Sequence, residues 1–334
     1  MNQMQAEALS DTMRAIRFHR MGGPETVQLD EVPRPRAGPG SVLVRNDVMG
    51  VNFGDLFFLR GEYIVMPKLP DIPGMEAAGV VVEVGPDVTD LKPGMRVAYI
   101  GLGAFADYSV VRAGRILPLD DDISLEQGAA FPIASLTAWH MLHTLHDLKP
   151  EETVLVHSAA GGVGMAAVQI AKAVGARVIG TVSNEEKAQA ARNAGADDVI
   201  DYVARDFGAV IRDLTGGMGV DLVLDGVGAP TFETGLKCLA PFGHMILFGR
   251  AGGAPGPVDP MRLFANSNTL SGFVLPMLYR NRAAMRRSLD AIYTLLREGK
   301  LRLPIHSIRP MEEAGAALAA INSRATIGKL LLRR

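Results

Sequence analysis

One cysteine in 334 residues, Cys238, is too few for an internal disulfide and excludes every multi-cysteine zinc site. No apolar run approaches the ~18 to 20 residues that cross a bilayer. The opening "MNQMQAEALSDT" lacks the basic start and apolar centre of a secretory leader. Net charge is also scarce: 34 Lys and Arg against 36 Asp and Glu leave a formal −2. No basic field exists to hold nucleic acid or an acidic membrane. Internal repeats and low-complexity tracts are missing too. These absences predict a soluble, cytoplasmic chain whose partners are small molecules.

What is present is the composition of a globular protein of about two domains, 48% hydrophobic and 21% charged, with 37 Gly and 20 Pro to make defined turns. Residues 1–12 are polar and read as a loose tail. From Met13 to about Pro118 short β-rich runs ("VQLDEV", "SVLVRNDVMG", "AAGVVVEVG", "RVAYI", "FADYSVV") are divided by Gly-Pro and Pro-Gly pairs. From Thr153 the texture changes. Apolar runs ("TVLVH", "RVIGTV", "DDVIDY", "VDLVLDG", "HMILFG") alternate with amphipathic helices, which specifies βαβ units and a parallel sheet covered on both faces.

The stretch "HSAAGGVGMAAVQIAK", from His157, lies at the first strand-to-helix junction of this second half. Val163, Ala167, Ile170 and Val174 recur on one helical face. Small residues at the turn let the backbone approach a ligand, and a helix N-terminus offers unpaired N–H groups to a phosphate. A glycine-rich turn between a strand and a helix, with a second strand following, is the dinucleotide-binding arrangement. An NAD enzyme places an acid at the end of that second strand. Here the strand ends "TVSNEEK", with Ser183 at the acidic position and Lys187 one turn on, which suits a ribose 2′-phosphate and so NADPH. Glu185 and Glu186 could bond a ribose, but Ser183 with Glu186 also reads as a capping box.

Taken together, "GVNFGDLFFLRGEYIV", "PDIPGMEAAGVVVEVG", "HSAAGGVGMAAVQIAKAVGARVIGTV" and "NSRATIGKLLL" resemble the zinc-free quinone oxidoreductases of the medium-chain dehydrogenase/reductase superfamily, the group that includes zeta-crystallin. The resemblance implies an α/β protein with a GroES-like β-rich catalytic domain over 13–137, and a Rossmann domain with a doubly wound parallel sheet over 138–273. A segment over 274–334 completes the catalytic domain, and the active site lies in the cleft. It also implies a homodimer formed through an edge strand of the Rossmann sheet.

Zinc alcohol dehydrogenases share the superfamily, so their ligand positions can be compared one by one. This chain has Asn52 where they carry a Cys before "xxD", and Gly74, Met75, Glu76 where they carry Gly-His-Glu; no cysteine lies between Pro132 and Leu136. No tetrahedral N/S site remains, so no metal is expected. Substrate polarisation then falls to hydrogen bonds, with hydride from the nicotinamide. The resemblance offers Asn52 and Tyr63 as the catalytic pair, Asn52 also touching the cofactor. It places Ala160, Gly161, Gly162 and Val163 along the pyrophosphate, and Ser183, Lys187 and Tyr202 around the 2′-phosphate. Thr137, Phe248, Gly249 and Phe273 fall near the nicotinamide end, and Arg324 returns toward the phosphate. His140, His143 and His146 follow a helix face and are assigned to structure.

Phe57 replaces an aromatic hydroxyl common in bacterial relatives, and "SGFVLPML" lacks an arginine that some relatives carry. Both changes favour an apolar quinone or a conjugated enone over a small hydrophilic quinone. The expected activity is NADPH-dependent, zinc-independent quinone reduction. Its rivals are an enoyl-thioester reductase of the same superfamily and a non-catalytic NADPH-binding or structural protein.

Overall fold

The computed structural model describes residues 10–334, so nine residues of the polar tail expected over 1–12 lie outside it; the first strand begins at Thr12. The chain divides into two compact units, one of residues up to Pro132 together with Ile305–Arg334, the other Ile133–Pro304.

In the first unit a seven-stranded sheet forms around Ser41–Val51, which pairs antiparallel with three strands: Glu76–Val84, Tyr108–Arg112 and Lys329–Arg333. Nine of that strand's eleven residues are buried, and its apolar run is broken in the middle by Arg45, Asn46 and Asp47. Asn46 is fully satisfied. Its amide donates to Ala106 O (2.8 Å), Ser109 Oγ (2.9 Å) and Ala104 O (3.2 Å), and its oxygen accepts from Tyr99 (3.0 Å). Arg96–Ile100 and Ile116–Pro118 continue the sheet on one side, and Ile305–Pro310 closes it on the other. Thr12–Phe18 and Val27–Pro33 form a separate antiparallel pair.

The second unit is a six-stranded parallel sheet in the order Asp198–Asp201, Arg177–Val182, Thr153–His157, Val220–Asp225, Leu239–Leu247, Thr269–Gly272. Numbered from its own first strand this is 3-2-1-4-5-6, the doubly wound order in which dinucleotides bind where the direction of winding reverses. That point lies between Thr153–His157 and Val220–Asp225. The two strands are almost wholly buried, with Leu155, Val223 and Leu224 at 0% exposure. The helix Arg282–Arg297 belongs to this unit, and the chain returns to the first at Ile305 rather than at residue 274. A contact between distant residues holds it there: Gln169 is hydrogen-bonded twice to the backbone of Arg302, at 2.7 and 2.9 Å, which ties the stretch after the helix to Gly162–Val174. Among the described residues no helix is long and apolar enough to cross a membrane.

Candidate active site

In the parallel-sheet unit the strand Thr153–His157 runs into a turn at Ser158, which holds φ +55°, and Gly161 is the N-cap of the helix Gly162–Val174. Gly161 N–H donates to Ser158 O (2.9 Å), and no side chain caps the helix. Its first-turn N–H groups are therefore presented by backbone alone. Gly164 explains how the turn can be so tight. A Cβ there would drive into the carbonyl oxygen of Ser158 and stand 2.9 Å from Ala159 Cα. Ala159 and Ala160 are buried beneath the turn, while Gly161, Gly162 and Val163 are half-buried on it.

The next strand, Arg177–Val182, delivers Ser183 at its end, and Lys187 Nζ lies 3.3 Å from Ser183 Oγ. Tyr202 N–H donates to Val182 O (3.0 Å), which fixes its backbone beside the same strand end. Three residues singled out for a 2′-phosphate thus gather at one place. The capping box expected from Ser183 and Glu186 does not form. The helix Glu185–Asn193 starts one residue later, and its N-cap is Asn184, whose side chain accepts from Lys187 N–H (2.9 Å). That shift leaves the Ser183 hydroxyl to the lysine. Glu185 is engaged by Arg192 at 2.6 Å.

Phe248 and Gly249 follow the strand Leu239–Leu247. Phe248 N–H donates to Asp225 O (2.9 Å), and its ring lies over Gly226, whose Cβ would stand 2.7 Å from Phe248 Cζ. Phe273 N–H donates to Leu247 O (2.9 Å). All three sit at the carboxyl ends of neighbouring parallel strands, on the same edge as the glycine turn. Thr137 is buried in the helix Pro132–His140. At the end of that helix and just beyond it, His140 Nδ1 is bonded to Thr144 Oγ1 (2.8 Å), His143 packs against Trp139 and His146 meets Glu152 (3.2 Å). Burial holds His140 down to about 4, so it stays neutral.

In the β unit Asn52 is the N-cap of the helix Phe53–Leu59, and Asp55 Oδ2 accepts from its backbone N–H (2.8 Å). The Asn52 side chain faces two groups that sequence reading left out. Its Oδ1 accepts from Lys329 Nζ (2.8 Å) and its Nδ2 donates to Glu76 Oε1 (2.8 Å), while Lys329 and Glu76 pair at 2.7 Å with side chains 3% and 0% exposed. Register brings them together. Leu330 is paired with Val51, and Gly50 with Glu76, so Lys329 and Glu76 flank the end of the central strand from either side. The signal in the sequence was only that Glu76 survives from the Gly-His-Glu pattern; nothing local pointed to Lys329.

Asp55 is fully buried, and burial pushes its carboxyl up to about 7 against the pull of Asn52 N–H and Lys329. Tyr63, half-buried, has its phenol pushed up to about 12 by burial and by the nearby Asp55 charge, so it is a hydrogen-bond donor rather than a base. Its ring lies 3.8 Å from the place of a Gly54 Cβ. Phe57 packs edge-on against Phe53 at 5.4 Å. Arg324 is exposed just past the helix Ala314–Asn322 and holds φ +58°.

Zinc does not fit these residues. Among the described residues no group of three or more His, Cys, Asp or Glu could hold a metal ion, Cys238 is buried in the core of the other unit, and the Lys329 ammonium stands against Glu76 and Asn52. A dinucleotide does fit the bare turn, the helix N-terminus and the Ser183–Lys187 pair.

Comparison with known proteins agrees with both halves. Residues 38–121 match the alcohol dehydrogenase GroES-like domain and residues 162–292 the zinc-binding dehydrogenase family. The chain is 37% identical to a quinone oxidoreductase of Pseudomonas aeruginosa, over 96% of this chain and 99% of that one. It is 36% identical to a 2-haloacrylate reductase of a Burkholderia species, over 94% and 97%. The crystal structure of Escherichia coli quinone oxidoreductase complexed with NADPH superposes with a TM-score of 0.93 at 36% identity, covering 96% of this chain and all of the other. With the fold, the glycine turn and the loss of the metal ligands, these likenesses make the chain a member of the zinc-independent quinone oxidoreductases of the medium-chain dehydrogenase/reductase superfamily.

Proposed function

We propose that this chain is an NADPH-dependent, metal-independent reductase of quinones and conjugated enones. The observation that carries the cofactor assignment is the gathering of Ser183, Lys187 and Tyr202 at the end of the second parallel strand, with a serine where an acid would select NADH and an ammonium beside it. Bound NADPH supplies a hydride from its nicotinamide. The backbone around Ala160, Gly161, Gly162 and Val163 holds the pyrophosphate. Thr137, Phe248, Gly249 and Phe273 line the nicotinamide end, and Arg324 adds a cation for the phosphate. Reduction leaves negative charge on the acceptor oxygen. Asn52 and Tyr63 are the groups of the β unit that donate hydrogen bonds to it, Tyr63 through a phenol that stays neutral at working pH. An apolar acceptor suits Phe57 in place of a hydroxyl. The likeness to a 2-haloacrylate reductase supports activated alkenes as a second class of acceptor.

We place the protein in the cytoplasm as a homodimer. The terminal strand Thr269–Gly272 pairs with Leu239–Leu247 on one side, which leaves its other edge for a second copy. Sedimentation of the purified protein reads this out.

The activity test is the initial rate of NADPH and NADH oxidation with an ortho-quinone, a para-quinone, an enone and a crotonyl thioester, each against an enzyme-free control. Quinone- or enone-dependent turnover that favours NADPH is the expected result. Faster turnover of the thioester would make the protein an enoyl reductase. Tight NADPH binding with no turnover on any acceptor would make it a binding protein.

A further inference from the structure

We propose that Lys329 and Glu76 are positioning residues: together they lock the Asn52 amide in one orientation and keep one of its N–H bonds ready for the reaction. The inference rests on the reductase reading and deepens it. An ammonium only donates and a carboxylate only accepts, so the 2.8 Å contacts to Lys329 and Glu76 leave the amide a single way round, with Oδ1 toward the lysine and Nδ2 toward the glutamate. The second Nδ2 proton has Gly50 O as its partner at 3.4 Å, a long bond that an approaching oxygen can replace. A positive charge on Oδ1 also draws electron density from the amide, which strengthens that remaining donor.

The framework suits such a task. Lys329, Glu76 and the Val51–Asn52 junction belong to three adjacent strands of one sheet, where side chains are held more closely than on loops. Gly50 opens the space. A Cβ there would stand 2.5 Å from both Glu76 Oε1 and Ala129 O, so no other residue at that position lets the carboxylate approach Asn52. A purely structural role is the competing account, and it is weakened by the energetics of buried ion pairs. Such a pair is about as stable as an apolar pair of similar volume, because the attraction between the charges is offset by the loss of their hydration. Stability alone therefore gives no reason to have charges here.

That comparison supplies the test, made on the full-length protein. Lys329→Met alone strands Glu76 and lowers the melting temperature. Lys329→Met with Glu76→Leu restores the melting temperature toward that of the native chain but leaves kcat for a para-quinone reduced by about 10- to 100-fold, less than the ~100- to 1000-fold of deleting a donor outright. NADPH affinity, read by quenching of nucleotide fluorescence, stays within about threefold. Asn52→Ala, worth ~100- to 1000-fold in the native chain, costs only the remaining factor of about 10 in the double variant, because the amide there is already unfixed. A double variant with native kcat, or one in which Asn52→Ala still exerts its full effect, overturns the proposal. Should the double variant not fold, Lys329→Gln is compared with Lys329→Met. Glutamine retains a donor for Asn52 and rescues part of the lost kcat; losses that merely follow the melting temperatures of the two variants overturn the proposal. Inactivity of the native chain on every quinone and enone would instead sink the reductase reading, and NADPH affinity would still report the state of the cofactor site.

Discussion

Replacing Asp55 by asparagine will flatten the pH dependence of stability, by an amount set by the burial of one carboxyl. Asp55 is 0% exposed, and its pKa rises from an ordinary 3.8 to about 7, chiefly through burial. The unfolded chain ionises this group near its ordinary value. Across the interval the folded protein therefore holds one proton more than the unfolded chain. The stability Asp55 contributes is fully present below the unfolded pKa and is lost as pH rises, by about 1.4 kcal/mol per pH unit, roughly 4 kcal/mol in all by the time the folded pKa is passed. Asparagine does not titrate. It keeps an oxygen for Asn52 N–H but buries an NH2 group in place of the other oxygen, at a cost of about 1–3 kcal/mol that is the same at every pH. The sign of the change at any single pH is therefore uninformative, and the slope carries the argument. Urea unfolding of both proteins, followed by circular dichroism from about pH 4.5 to 8.5, gives the difference in unfolding free energy. That difference will climb in favour of the variant by about 3 kcal/mol up to pH 7 and then level off. Groups common to both proteins cancel. A difference constant to within about 0.5 kcal/mol over the range would refute the reasoning.

Four further substitutions probe cofactor binding. Lys187→Ala will lower kcat/KM for NADPH by roughly 10- to 100-fold, the worth of one charge-assisted bond, while NADH turnover changes little; Ser183→Asp added to it will reverse the preference in the same rate assay. Gly164→Ala forces a methyl group into the Ser158 backbone, so thermal melting will show a loss of about 3 kcal/mol, and the KM for NADPH will rise with it. Arg324 occupies the left-handed position after a helix, where glycine is strain-free. Arg324→Gly will raise stability by up to about 1 kcal/mol and yet weaken NADPH binding in a titration; a variant that binds as well as the native chain would remove Arg324 from the cofactor contacts.

Much of the cofactor half was legible because its signals are local. The glycine turn, the strand before it and the apolar helix face after it all lie between Thr153 and Val174, and Lys187 reaches Ser183 across one turn. Boundaries were less so. Reading Ser183 as the N-cap misses by one residue, since serine and asparagine are equally good caps and only the length of the preceding strand decides between them. The helix Arg282–Arg297 has the same amphipathic pattern whichever unit it joins, and the choice is made by Gln169 and Arg302, far apart in the chain.

By itself, then, the sequence determined the fold class, the dinucleotide turn and the loss of the metal ligands, because each depends on residue type at short range. What surrounds Asn52 was decided by tertiary structure. Lys329 lies 277 residues beyond it and Glu76 24, and neither spacing carries a periodicity that a single chain can reveal. Their meeting depends on the register of three strands. That register follows from how the whole sheet buries its apolar faces, and a slip of one residue would turn each side chain to the opposite face.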